Sequence, residues 1–279
     1  MRNGGEMTVN NAFTGEINVE GDGMVNIHTT QPISFGAISP TSTIRFGANA
    51  TTIPARAYGH VEILGAGTTK TLGSGATIVA GNLVIVNGVT LNGASDNTST
   101  IQLTGDLTLQ EEDEFNPALK FGITLSGGRP HALIFFGSKA AFNQLNILEA
   151  SVVSVTEGTL PRTLELGSAS GGGLTIQNGS ELNLGKNHLS IFGNGTLNSE
   201  NQTGRIAFDR SKLSITSQSA AHSNLYTKSL SDTVSVVATN LSGGGALFLR
   251  DSLFVLDSVK NLQWNTPCKW LTYPCFIYQ

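Results

Sequence analysis

The sequence predicts an all-β fold, a parallel β-helix (β-solenoid) of short strands turned at Asn/Gly corners. Three observations predict it. Apolar and polar residues alternate in brief bursts, as in Val61-Glu-Ile63, Leu107-Thr-Leu109, Leu164-Glu-Leu166 and Leu213-Ser-Ile215. That period of two belongs to strands with one buried face. Between bursts stand Asn-Gly, Gly-Ser-Gly, Gly-Ala-Gly and Gly-Asn-Gly, which supply the positive φ that tight corners need. Finally, one strand, turn, strand phrase recurs: Leu83-Val-Ile-Val-Asn87-Gly88-Val-Thr-Leu91, Leu174-Thr-Ile-Gln-Asn178-Gly179-Ser-Glu-Leu182 and, more loosely, Leu247-Phe-Leu-Arg-Asp251-Ser252-Leu-Phe-Val255. A recurring unit of this kind marks a repeat architecture, and its Asn87-Gly88, Asn178-Gly179 and Asp251-Ser252 are read as structural corners.

Composition agrees. Charged residues are 13% of the chain, against roughly 25% in an average soluble domain. Thr, Ser, Asn and 33 glycines take their place. Such residues make poor helices, because Ser and Asn compete for backbone hydrogen bonds and Gly costs about 1 kcal/mol per helical position. A net charge of −4 offers no basic footprint for a phosphate backbone, so nucleic acid is excluded as a partner. No apolar run is long enough for membrane insertion, and the start Met1-Arg-Asn-Gly-Gly-Glu-Met lacks the apolar core of an export signal. The chain is therefore either intracellular or a piece of something longer.

Taken in order, residues 1–43 read as the end of a preceding repeat. Repeat 1, 44–132, opens on Ile44-Arg-Phe46-Gly47, continues through Tyr58-Gly-His-Val61-Glu-Ile63-Leu64 and reaches the phrase at Leu83. Repeat 2, 133–205, runs from Ile134-Phe-Phe136-Gly137 through Phe142-Asn-Gln-Leu145-Asn-Ile147-Leu148 to the phrase at Leu174. The Phe-Gly marks are 90 residues apart and the phrases 91, which implies a unit of about 90 residues with small indels. Repeat 3, 206–260, is shorter and diverged. Residues 261–279 hold both cysteines, both tryptophans and two of the four tyrosines; they read as a cap over the last coil's open edge or as a non-native tail. Everything before that tail is one continuous solenoid, whose burst spacing also fits tandem β-sandwich repeats as an alternative. Corners rich in Asn and Gly, and bursts too short for a free-standing sandwich core, favour the solenoid.

The stretch Tyr58-Gly-His-Val-Glu-Ile-Leu-Gly-Ala-Gly-Thr-Thr-Lys70-Thr71-Leu72, followed by Ala76-Thr-Ile-Val-Ala-Gly-Asn-Leu83-Val-Ile-Val-Asn-Gly88-Val-Thr-Leu91, resembles a repeat of large secreted surface proteins of the Bacteroidota. Their pattern is an aromatic leading "LxIxGxGTKTL" and then "ItVxGNLxIxxGxTL". The match is good over about 44–110, weaker through 133–191, where the GTKTL piece is lost, and faint beyond 206. The resemblance implies low-charge β-repeat adhesins of the gliding and biofilm type, exported by type IX secretion. It assigns no activity, and the sorting domain that ends many members is not in this sequence.

Candidate chemistry is sparse. Glu111-Glu112-Asp113-Glu114 is a weak calcium candidate, since Ca²⁺ takes several oxygen ligands; no DxDxDG pattern accompanies it, and a solvated flank loop is the plainer reading. His28, His60, His131, His188 and His222 show no metal-ligand spacing. Cys268 and Cys275 allow a local disulfide or free thiols. The glycine runs Gly65-Ala-Gly67 and Gly171-Gly-Gly173 lack the helix that a phosphate cradle requires. No cofactor or catalytic residue is implied. The expectation is a non-enzymatic, extracellular or cell-surface segment. It would act as a stalk or adhesive fibre that holds surface glycans or other polymers by many weak contacts, in company with further repeats of the same polypeptide. A β-helix polysaccharide lyase or hydrolase, which would need clustered carboxylates with a base, and a trimeric tail-fibre module are the alternatives.

Overall fold

The computed structural model describes residues 4–86, 88–95, 98–110, 114–115, 121–168, 171–177, 179–191, 196–199, 205–208, 212–215, 221–227, 233–238, 247–250 and 253–259. Among them there is no helix, and every paired strand runs parallel to its partner. The chain is a parallel β-solenoid. Parallel pairing overturns the β-sandwich alternative, whose hairpin-linked strands would be antiparallel.

From Ala57 to Ala238 the described strands visit three faces in a fixed order, 2, then 1, then 3, with Ala221–Thr227 serving face 2 and then face 1. Face 1 stacks Glu6–Val9, Met24–Ile27, Thr43–Phe46, His60–Ile63, Leu83–Ile85, Leu107–Leu109, Pro130–Phe135, Val152–Val155, Glu181–Gly185, Arg205–Phe208, Ala221–Thr227 and Leu247–Arg250. Face 2 stacks Ala57–Tyr58, Ala76–Val79, Thr100–Leu103, Gly122–Leu125, Gln144–Ile147, Gly173–Ile176 and Thr196–Ser199. Face 3 comes in two ladders, Thr52–Ile53, Thr69–Leu72 and Thr90–Asn92, then a 7-stranded one from Glu114–Phe115 to Leu253–Val259. Register partners lie between 17 residues apart, Thr43 and His60, and 29 apart, Val152 and Glu181. The geometric unit is therefore one coil, and the sequence unit of about 90 residues spans several.

Inward columns make the core. Val25, Ile44, Val61, Leu83, Leu107 and Leu133 are successive partners on face 1, beside Ile27, Phe46, Ile63, Ile85, Leu109 and Phe135. All are buried, and each contributes roughly 1.5–3 kcal/mol on removal from water. Tyr58, Val79, Leu103, Leu125, Ile147 and Ile176 form a face 2 column.

The recurring phrase does not keep to one face. Leu83–Ile85 lies on face 1 and its phrase turns through Gly88 to face 3, whereas Gly173–Ile176 lies on face 2 and turns through Gly179 to face 1. Gly88 and Gly179 have φ of +76° and +78°, a conformation that costs Gly nothing. Asn87, Asn178, Asp251 and Ser252 lie outside the described residues. Likewise the column of Ile44 contains Leu133, not Ile134. Matching Phe46 to Phe136 is thus one residue out of phase, and a one-residue slip turns a strand inside out: Phe46 is buried and Phe136 is 52% exposed.

Where face 2 bends into face 1, stacked coils leave no room for side chains. A Cβ on Gly105 would strike the Gly81 carbonyl, and one on Gly59 the Ser42 oxygen. Two coils later the same corner is wider, and Glu149 and Ala150 take φ of 57° and 55°. Non-glycine residues there cost roughly 1 kcal/mol each. Coil-to-coil bonds hold them: Gly127 N donates to the Glu149 carboxylate at 2.7 Å, and Glu149 N to Gln177 Oε1 at 2.7 Å.

Candidate binding face

Period two sends every second strand residue outward, and the three outward faces differ in chemistry. On face 2 one outward row is Ala57, Ile78, Gln102, Thr124, Asn146 and Thr175; the other is Ala76, Thr100, Gly122 and Gln144, with the buried Gly173 next in register. No ionisable residue occurs in either row over that span. Face 1 carries the Arg45–Glu62 pair, with Nε to Oε2 at 2.6 Å, and face 3 carries Lys139–Glu165 at 3.5 Å.

The polar side chains of face 2 are tied together. Gln144 Nε2 donates to Asn146 Oδ1 at 2.9 Å, and Asn146 Nδ2 donates to Thr124 Oγ1 at 3.2 Å on the neighbouring coil. Beside Gln144 the same row holds Gly122 and Gly173. A Cβ on Gly122 would sit 3.5 Å from Gln144 Cβ, an ordinary contact. The missing side chain leaves a notch that stacking does not demand.

Ion pairs elsewhere on the surface each join one carboxylate to one cation: Arg129 with Asp106 at 3.7 Å and Lys186 with Glu157 at 3.8 Å. Among the described residues no group of three His, Cys, Asp or Glu side chains is arranged to hold a metal ion. Of Glu111, Glu112, Asp113 and Glu114, only Glu114 is described, on face 3 in register with Lys139. Cys268 and Cys275 lie outside the described residues.

The histidines separate. His28 and His60 lie against Gly47 and Gly81 of the next coil, where a Cβ would come within 2.5 Å of each ring; His60 Nδ1 accepts the Asn82 N–H at 3.0 Å. His131 points inward and is buried, its Nδ1 2.8 Å from Gly105 O and its Nε2 3.3 Å from Ser151 Oγ. This His–Ser contact is buried, where it satisfies polar atoms of the interior.

One buried charge escapes a reading of charged residues as outward. Lys70 is fully buried, and its ammonium donates to the carbonyls of Gly47 at 2.8 Å, Ala50 at 2.7 Å and Ala48 at 3.4 Å. Burial pushes its pKa below the ordinary 10.5. The signal was present in Thr69-Lys70-Thr71-Leu72: period two puts Lys70 on the same side as Leu72. A cavity of about 140 Å³, lined by Ile27, Phe35, Phe46, Ala50, Pro54 and neighbours, is smaller than the ~300 Å³ at which ligand sites begin.

No family model, curated protein or solved structure matches the chain.

Proposed function

We propose that the chain is a non-enzymatic segment of a bacterial cell-surface or secreted repeat protein, a stalk or adhesive fibre that holds glycans or other surface polymers. One observation carries this reading: uncharged outward residues recur in register on face 2, coil after coil. A stack that repeats its surface repeats its contacts, and weak contacts that are held rigidly in line sum by effective concentration. The Bacteroidota-type repeat pattern at 58–91 agrees with such a role.

The test couples the chain to beads at increasing density and measures their retention on polysaccharide-coated surfaces, while the supernatant is assayed for released sugar ends. Retention that climbs steeply with density, with no release, is the expected result. Sugar release would replace this reading with a polysaccharide lyase or hydrolase.

A further inference from the structure

We infer that face 2 is the binding face and that its ligand is a neutral, hydroxyl-rich polymer, an uncharged polysaccharide, lying along the solenoid axis over Thr124, Gln144 and Asn146. This deepens the adhesion reading and rests on it.

The charge pattern selects the ligand class. Between Ala57 and Thr175 both outward rows of face 2 consist of Ala, Ile, Gln, Thr, Asn and Gly. An anionic polymer would find no cation there and a cationic one no carboxylate, while on face 1 and face 3 either would meet charged pairs. Hydroxyl and amide groups both donate and accept, which matches a polyhydroxylated ligand in either chain direction.

The centre of the face is preordered. The chain of bonds from Gln144 through Asn146 to Thr124 fixes three side chains before any ligand arrives, so little rotamer freedom is lost on binding. It leaves the Thr124 hydroxyl proton and the Gln144 amide oxygen for an outside partner. Gly122 is the second sign. It is absent from the positive-φ residues and a Cβ there would make only ordinary contacts, so neither conformation nor packing demands glycine; its effect is the open notch beside Gln144.

The dimensions favour a polymer over a second copy of the protein. Coils rise about 4.8 Å and four-residue strands span about 13 Å, so the strip from Ala57 to Ser199 measures on the order of 400 Å². A stable protein interface takes about 800 Å² per partner. A single polymer chain needs only such a narrow strip, with contacts repeated along it.

The experiment uses the full chain and measures retention on cellulose and dextran, both neutral, against alginate, an anionic polymer. Three substitutions probe the faces with one added charge: Thr124→Glu on face 2, Thr108→Glu on face 1 and Ser190→Glu on face 3. Gly122→Phe fills the notch with no charge. Thermal melts verify that each variant folds. The expected result is retention on a neutral glucan, weakened about tenfold by Thr124→Glu and by Gly122→Phe and changed less than about twofold by the other two. Retention that survives both face 2 variants, or falls equally on all faces, overturns the inference and leaves adhesion standing. So does preference for alginate, or a dimer in light scattering that Thr124→Glu abolishes, which would make a second copy the occupant. Failure of the wild type to bind any polymer removes the adhesion reading itself.

Discussion

Lys70 illustrates how a single residue can close a corner. Residues 47–50 turn away from face 1 with carbonyls aimed inward, and the ammonium takes three of them. A buried carbonyl without a donor costs about 1–3 kcal/mol. Lys70→Met keeps the volume and removes the donor, and also relieves the desolvated charge, so the net loss expected in urea denaturation is about 2 kcal/mol; an unchanged midpoint would show that the corner does not depend on the amine. Tyr58 sets the alkaline limit. Its ring meets Phe35 and Phe46 edge-on at 6.2 and 5.9 Å, its hydroxyl donates to Pro54 O at 2.8 Å, and burial raises its pKa far above 10.0 despite the nearby Arg56 charge. Above pH 10 the unfolded tyrosine releases its proton while the folded one keeps it, so the unfolded state binds fewer protons and stability falls as pH rises. Lys70 acts with the opposite sign: its folded pKa is depressed, the unfolded chain binds more protons just below 10.5, and stability rises with pH there. The urea midpoint followed through this range should lose its high-pH decline in Tyr58→Phe and its earlier rise in Lys70→Met.

At the scale of elements, the strands themselves were legible and their order around the coil was not. Val61-Glu-Ile63, Leu107-Thr-Leu109 and Leu145-Asn-Ile147 alternate as read, with the apolar members buried. Yet the first two lie on face 1 and the third on face 2, since all three faces ask for the same inward aliphatic pair. A phrase such as Leu83 to Leu91 encodes a strand, a left-handed corner and a strand, and that can serve any two adjacent faces. The uncharged character of face 2 was hidden for the same reason, because it exists only when residues a coil apart are brought into one row. Phase is testable directly. Leu133 occupies the inward column below Leu107, and Ile134 faces outward below Thr108. Leu133→Ala should cost about 2–5 kcal/mol, and Ile134→Ala less than about 1 kcal/mol, in chemical denaturation. Equal costs would mean that the strand Pro130–Phe135 is not held in this register.

For the whole molecule, stacking implies that stability is close to a sum of coils and their interfaces. Ile123 and Leu145 are register partners on face 2, so excising residues 123–144 joins Gly122 to Leu145 and removes one complete coil. The column then runs from Ile101 to Leu145, an aliphatic contact like the one it replaces, while Phe135, Phe142 and His131 leave together with their neighbours. The shortened chain should fold with the same strand signature in circular dichroism and a rod about 4.8 Å shorter in small-angle scattering. Excising only residues 123–133 removes half as many residues and joins face 2 to the interior of a face 1 strand. Every later strand then arrives one face out of place, with its inward column facing an unmatched neighbour, and this variant should fail to fold. If both excisions behave alike, the coil is not the unit in which this protein is built. If only the full-coil version folds, length can be altered by whole coils; because this coil carries Thr124 and Gln144 of the bonded chain on face 2, retention on a neutral polymer should fall about as far as in Thr124→Glu.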